Sequence, residues 1–203
     1  IYTGEDTLSL HDALPIFYQV IEKAGYPMLR RIDLPFQNKL GYLPVRGIFK
    51  DQRNILWIST ENGPNETYST IYRLLPHGQG EKLERHDIQR GIVANFFQTS
   101  DGTIWASVSG LIKGGLCQLN AHPQEGSELF LRCFQEKDGL PSNWINALHQ
   151  TSDDTLWIGT ADGAARISID SAQHQPRVQV YRGAEGVCDK VVFDISEDRD
   201  GNL

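Results

Sequence analysis

Three tryptophans carry a recurring pattern of apolar and polar positions. Trp57, Trp105 and Trp157 each follow a turn and a branched apolar residue: Asn54-Ile55-Leu56-Trp57, Gly102-Thr103-Ile104-Trp105 and Asp154-Thr155-Leu156-Trp157. Twelve positions before each tryptophan stand Val45, Val93 and Ile145; nine positions before stand Ile48, Phe96 and Leu148. The same two positions recur at Val192 and Ile195, ahead of Asp200-Gly201-Asn202-Leu203. A fourth unit therefore expects its tryptophan at the position after Leu203, and the chain is expected to break off inside a repeat.

The polar positions between these landmarks are turns. An acidic turn precedes each tryptophan (Asp51-Gln52-Arg53-Asn54, Ser100-Asp101-Gly102, Ser152-Asp153-Asp154, Asp198-Arg199-Asp200-Gly201), and a second follows at Asn62-Gly63, Ser109-Gly110 and Asp162-Gly163. Asn-Gly, Asp-Gly and Ser-Gly supply the positive φ that tight hairpins demand. Each unit thus reads as four strands. In the third they are expected over 144–150, 155–160, 164–169 and 178–181. The second strand is apolar on both faces, with Leu156 and Ile158 pointing one way and Trp157 the other. Such a sheet is buried on both sides, as when sheets stack on sheets. A period near 50 residues exceeds that of a β-helix or leucine-rich array, and helical periodicity is absent. The expected fold is all-β: a partial β-propeller of about four blades of four antiparallel strands, forming an open arc.

The most specific stretch is Phe134-Gln135-Glu136-Lys137-Asp138-Gly139-Leu140-Pro141-Ser142-Asn143, followed by Leu156-Trp157-Ile158-Gly159-Thr160-Ala161-Asp162-Gly163. Together they resemble the two-component regulator propeller repeat, with its DGLPSN connection, acid-Gly turn and LWIGTxxGL strand. The first unit keeps Leu56-Trp57-Ile58-Ser59-Thr60-Glu61-Asn62-Gly63 without the connection; the second has Ile104-Trp105-Ala106-Ser107-Val108-Ser109-Gly110. The resemblance implies an extracytoplasmic, ligand-sensing region of a membrane-bound regulator, periplasmic or extracellular and not itself catalytic. In such regulators a membrane helix leads to a histidine kinase or diguanylate cyclase. It further implies a membrane-anchored, dimeric parent and a small-molecule or oligosaccharide ligand. The alternatives are a streptogramin-lyase-like propeller enzyme and a scaffold propeller that binds another protein.

Residues 1–16 stand outside this pattern. Thr7-Leu8-Ser9-Leu10-His11-Asp12-Ala13-Leu14-Pro15-Ile16 is the translation of a widely used sequencing-library adapter, ACT CTT TCC CTA CAC GAC GCT CTT CCG ATC. We expect 1–16 to be non-native and the propeller domain to occupy 17–203. His11-Asp12 is accordingly not read as a catalytic pair.

Composition narrows the chemistry. The 203 residues carry net charge −7, which argues against binding a nucleic-acid backbone. No apolar run reaches the ~18 residues of a membrane span. Cys117, Cys133 and Cys188 show no CxxC or zinc spacing and read as small core residues; Cys117 and Cys133, on successive strands, could pair in an oxidising compartment. His77, His86, His122 and His174 are expected in solvated inter-strand stretches, and His149 half-buried at the end of an inner strand. No cofactor, metal or catalytic constellation is expected. Asp198-Arg199-Asp200-Gly201 reads as a turn rather than a calcium loop, since the further ligands such a loop needs are missing.

Candidate ligand contacts come from architecture. Propellers bind at the end of the channel where the outer strand of one blade leads into the inner strand of the next, and there the units stop agreeing with one another. Tyr42, Arg90, Asn143, Trp144 and Lys190 fall at that connection, with Arg46 and Asn146 just beyond. Tyr42 and Trp144 offer stacking faces; Arg90 and Lys190 offer cations for an acidic group.

Overall fold

The computed structural model describes residues 17–23, 26–32, 44–61, 68–77, 80–88, 91–109, 114–123, 127–169, 176–183 and 190–203. The adapter-like residues 1–16 lie outside them. A hairpin of β1 (Phe17–Lys23) and β2 (Tyr26–Ile32) precedes three four-stranded antiparallel sheets. The first blade is β3 (Val45–Lys50), β4 (Leu56–Glu61), β5 (Ser69–His77) and β6 (Gly80–Ile88). The second is β7 (Ile92–Gln98), β8 (Ile104–Ser109), β9 (Gly115–Leu119) and β10 (Phe130–Phe134). The third is β11 (Ile145–Gln150), β12 (Leu156–Thr160), β13 (Gly163–Ile169) and β14 (Pro176–Tyr181). In each, the strands pair in chain order, as propeller blades do.

The turn between the first two strands is built the same way in every unit. In the first blade the Asn54 amide donates to Asp51 O at 2.9 Å and the Asp51 amide to Ile55 O at 3.0 Å. Thr99–Thr103, Thr151–Thr155 and Asp198–Asn202 repeat both bonds. The fourth residue of the turn has positive φ: Asn54 (64°), Gly102 (85°), Asp154 (65°) and Gly201 (83°). Asn, Asp and Gly are the residues that tolerate this region, which explains the polar composition there. The fourth unit thus has its first turn in place, after residues 190–197.

Packing is blade on blade. Trp57 and Ile71 of the first blade meet Val93, Ile104 and Leu119 of the second in one cluster. Trp105 and Leu116 of the second meet Ile145, Leu156 and Ile158 of the third in another. Ser59, Ser107 and Gly159, two positions after each tryptophan, are buried because the next inner strand lies close. A Cβ on Gly159 would stand 2.8 Å from Val192 Cγ1; one on Gly47 would stand 2.6 Å from Ala94 O.

Two further contacts recur at the joints. The amides of Gln52, Ser100 and Ser152 donate to Gln98 Oε1 (2.8 Å), Gln150 Oε1 (2.7 Å) and Glu197 Oε2 (2.8 Å) of the following unit. Each inner strand also bulges at one place, between Val45 and Gly47, Val93 and Asn95, Ile145 and Ala147. The extra residues are Arg46, Ala94 and Asn146. Such bulges re-aim a side chain and sharpen the strand's bend.

Candidate functional site

The entry rim is the end of the sheets where inner strands begin. Tyr42 and Arg90 lie outside the described residues. The others the structure places as follows. Arg46 donates through Nε to Glu61 Oε2 at 2.6 Å, an ion pair between a half-exposed guanidinium and a mostly shielded carboxylate. Asn146 donates from Nδ2 to Val192 O at 3.0 Å, and Asn95 donates likewise to Asn146 O at 3.1 Å. These two amides join consecutive inner strands.

Asn143 closes the connection into the third blade. Its Oδ1 accepts from the Glu136 amide at 2.8 Å, and its own amide donates to Glu136 Oε1 at 2.9 Å. Within this loop Asp138 Oδ2 accepts from the Gln135 amide, Gly139 takes φ 101°, and Leu140 is buried in the second joint. The Ser142 hydroxyl accepts from the Trp144 amide at 3.1 Å. The DGLPSN letters are thus a folding device.

Trp144 and Lys190 remain open to solvent. Trp144 is 63% exposed, and Phe193, at the bulge position of the fourth unit, is 77% exposed. The turn Thr160–Gly163 holds their segments together: Ala161 donates its amide to Trp144 O (3.0 Å), Val192 to Thr160 O (2.9 Å), and Gly163 to Lys190 O. Gly163 has φ 104°, and a Cβ there would stand 2.4 Å from Tyr181 O. Among the described residues the rim therefore presents the Trp144 indole, the Phe193 ring and the Lys190 ammonium on a main-chain scaffold. Phe193 is a further candidate, one that lies beyond the variable connection on which the sequence places its ligand contacts.

A second polar constellation lies at the opposite end, in the first joint. Arg73 is 2% exposed, with its guanidinium 4.6 Å from the Trp57 ring centroid, and it pairs with Glu84 at 2.8 Å. Burial pushes the Arg73 guanidinium down from its usual value, with Glu84 acting against this. Asp51 accepts from the Ile55 amide (2.9 Å), the Trp57 indole (3.1 Å) and Arg53 (3.0 Å). Burial works to raise its pKa, but these bonds together hold the carboxyl below its usual range. His86 corrects the expectation of a solvated loop. It lies within β6, because β5 and β6 form a long hairpin, and its Nε2 is shielded with no hydrogen bond, 3.9 Å from Glu84 Oε2. Burial, then the charge of Arg73, push it below its usual value. His149 is half-buried, as expected, opposite Trp157.

Cys117 and Cys133, directly opposite each other on β9 and β10, form a disulfide with Cα atoms 4.0 Å apart. Both also sit in the core as expected, Cys117 fully buried and Cys133 packed against the same cluster, and the pairing that their successive strands allowed is made. Among the described residues no three His, Cys, Asp or Glu side chains converge on a metal position, and no helix is long and apolar enough to cross a membrane.

Residues 139–162 match the family model described as "Two component regulator propeller". The fold is similar to the extracellular domain of the hybrid two component system BT3049 from B. thetaiotaomicron. That match has TM-score 0.59 and 21% identity, over 85% of this chain and 22% of that one. It is also similar to the extracellular domain of the one component system BT4673 from the same organism, with TM-score 0.52 and 16% identity over 88% and 24%. At such identities the likeness is one of fold, and this chain spans less than a quarter of either domain's length. No curated protein matches the chain.

Proposed function

We propose that this chain, which carries a two-component regulator propeller repeat over 139–162, belongs to the extracytoplasmic sensing region of a membrane-anchored, dimeric signalling regulator. It binds a small-molecule or oligosaccharide ligand on the entry rim and performs no chemistry on it. The observation that carries this reading is the exposure of Trp144 and Lys190 on a rim whose other described polar candidates are spent on structural bonds. An exposed indole stacks on the apolar face of a ring, and the neighbouring ammonium meets a hydroxyl or acidic substituent. The disulfide supports an oxidising compartment, and the structural neighbours are extracellular domains.

Ligand on the rim ties the third blade to the fourth unit, since Trp144 and Lys190 belong to different units joined through Thr160–Gly163. It thereby favours one arrangement of the dimer over another, and the output region reads that shift. The test is calorimetry and thermal melting of the complete ectodomain against a panel of neutral and acidic oligosaccharides, with Trp144→Ala and Lys190→Ala. A binder whose affinity falls at least about tenfold in Trp144→Ala, with melting of the unliganded protein unchanged, supports the reading. Binding indifferent to both variants, or no binder in the panel, overturns it.

A further inference from the structure

The outer strands β10 and β14 end the second and third blades in the same way. Both come so close to a glycine that a Cβ on Gly115 would run into Phe134 O, and one on Gly163 into Tyr181 O. The residue after each strand is Gln135 in the second blade and Arg182 in the third. Gln135 donates from Nε2 to Gly114 O at 2.9 Å; Arg182 donates from Nε to Asp162 O at 3.1 Å. Gly114 and Asp162 hold the same place, directly before the glycine. A neutral amide therefore suffices for this bond, and the guanidinium brings a charge that the bond does not need.

That charge stands on the rim. Arg182 Nη2 donates to Pro141 O at 3.3 Å and pairs with Asp162 Oδ2 at 2.9 Å, bridging the Thr160–Gly163 turn to the loop that delivers Trp144. Its stem lies against Gly163, whose amide donates to Lys190 O, while Ala161 of the same turn donates to Trp144 O. One turn thus gathers a half-exposed guanidinium, an exposed ammonium and an exposed indole. Among the described residues Arg182 Nη1 has no partner and Lys190 makes no ion pair. The first unit is built otherwise at this level. There Glu61, the counterpart of Ala161, donates its amide to Pro44 O and holds Arg46 with its carboxylate. The third unit has Ala161 and Asn146 at those two places, so that ion pair is absent beside Trp144.

We propose that Arg182 is a specificity-determining residue of this rim: with Lys190 it selects ring ligands that carry an oxyanion, a carboxylate or a sulfate, over their neutral counterparts. This selection rests on the rim reading proposed above and specifies the charge of the ligand within it. The ring lies on Trp144, the oxyanion accepts from Arg182 Nη1 and from the Lys190 ammonium, and Asp162 holds the guanidinium in place through Nη2. Hydrogen bonds between two charged groups are the stronger kind, and a neutral hydroxyl at the same place draws less from both donors.

Calorimetric titration of the full chain with glucose- and galactose-based oligosaccharides, each beside its C6-carboxylate and 6-O-sulfate derivatives, tests this. An oxyanionic derivative is expected to bind at least about tenfold more tightly than its neutral parent, by a margin that shrinks as salt is raised. Which derivative gains tells carboxylate from sulfate. Arg182→Gln keeps the bond that Gln135 makes in the preceding blade and removes the charge. Its melting is expected to match the parent's, and its ratio of oxyanion to neutral affinity to fall towards one. Loss of a merely structural bond would weaken neutral and oxyanionic members alike. If Arg182→Gln does not fold, Lys190→Ala, a change on an exposed side chain, decides the matter by the same ratio. Equal binding of neutral and oxyanionic members, or a ratio kept in full by the folded variant, would overturn the selection; a loss of affinity in Trp144→Ala would then still leave the rim reading standing. No binding by any member overturns both.

Discussion

The main-chain amide of Ser100 points across the second joint at Oε1 of Gln150, 2.7 Å away, and Gln150 returns a bond from Nε2 to the Ser100 hydroxyl at 3.1 Å. The turn of one blade is thereby clamped by the last inner-strand side chain of the next. Such a bond contributes about 0.5–1.5 kcal/mol net. Gln150→Ala is expected to lower the free energy of unfolding by about 1 kcal/mol, and Gln98→Ala, its counterpart in the first joint, by a similar amount. Urea denaturation of the two variants against the parent measures both.

The close approach of inner strands makes a sharper prediction at Gly47. A methyl group there would sit 2.6 Å from a main-chain oxygen, which no side-chain rotation relieves. Gly47→Ala is expected to cost about 2 kcal/mol by forcing β3 and β7 apart. Gly183, with nothing within 4 Å of a built Cβ, has φ 44°. Gly183→Ala should therefore show only the milder backbone penalty of about 1 kcal/mol. A thermal melt in which Gly183→Ala lost more than Gly47→Ala would contradict the packing described for the first joint.

Reduction of Cys117–Cys133 is expected to destabilise the protein. The bond closes a loop of sequence separation 16, for which loop-closure entropy predicts about 3 kcal/mol. Melting with and without dithiothreitol should show the shift, and Cys117→Ala with Cys133→Ala should melt low and lose the response to reductant. An unchanged melt in dithiothreitol, with complete reduction verified by mass, would show that the staple contributes nothing.

Acid should destabilise the fold in two stages. His86 is held below its ordinary 6.5 by burial and by Arg73. As pH falls through 6.5 the unfolded chain therefore takes up a proton that the native state resists, and stability declines. Asp51 and Asp101 lie below their ordinary 3.8 in the native state. Burial opposes that shift in both, and hydrogen bonds from Ile55, Trp57 and Arg53 at Asp51, and from Thr99 and Thr103 at Asp101, outweigh it. Their contribution is complete above 3.8 and is lost as pH falls through the lower native values. Stability measured by urea from pH 8 to pH 3 should show both declines, and His86→Gln should flatten the first alone.

Much of this architecture could be read from the chain. The third blade's strands, expected over 144–150, 155–160, 164–169 and 178–181, are observed as Ile145–Gln150, Leu156–Thr160, Gly163–Ile169 and Pro176–Tyr181. They were legible because hydrophobic period and positive-φ turn residues agree at the first two turns, Asp154 and Gly163. The hairpin β1–β2 was not, since it carries no tryptophan signature to align. The site was less legible than the fold. Asn143 and Asn146 look like ligand donors in one dimension, and only three-dimensional structure shows them bonded to Glu136 and Val192 O. His86 shows the same limit: a histidine among Glu, Arg and Asp reads as surface, yet the alternation of β6 turns its ring inward beside Arg73.

In each joint clamp the main-chain donor is a peptide N–H, which any residue but proline supplies: Gln52, Ser100 and Ser152 all provide it, the two serines adding a hydroxyl bond. The acceptor is one amide or carboxylate side chain per unit, Gln98, Gln150 or Glu197, acting beside the apolar packing and the close strand contacts of each joint. A duplicated or exchanged stretch of gene encoding one unit would therefore arrive with a compatible joint already written into it. Such an array can lengthen or reshuffle by recombination, with the second turn residue free to vary and the fourth held to Asn, Asp or Gly by its positive φ.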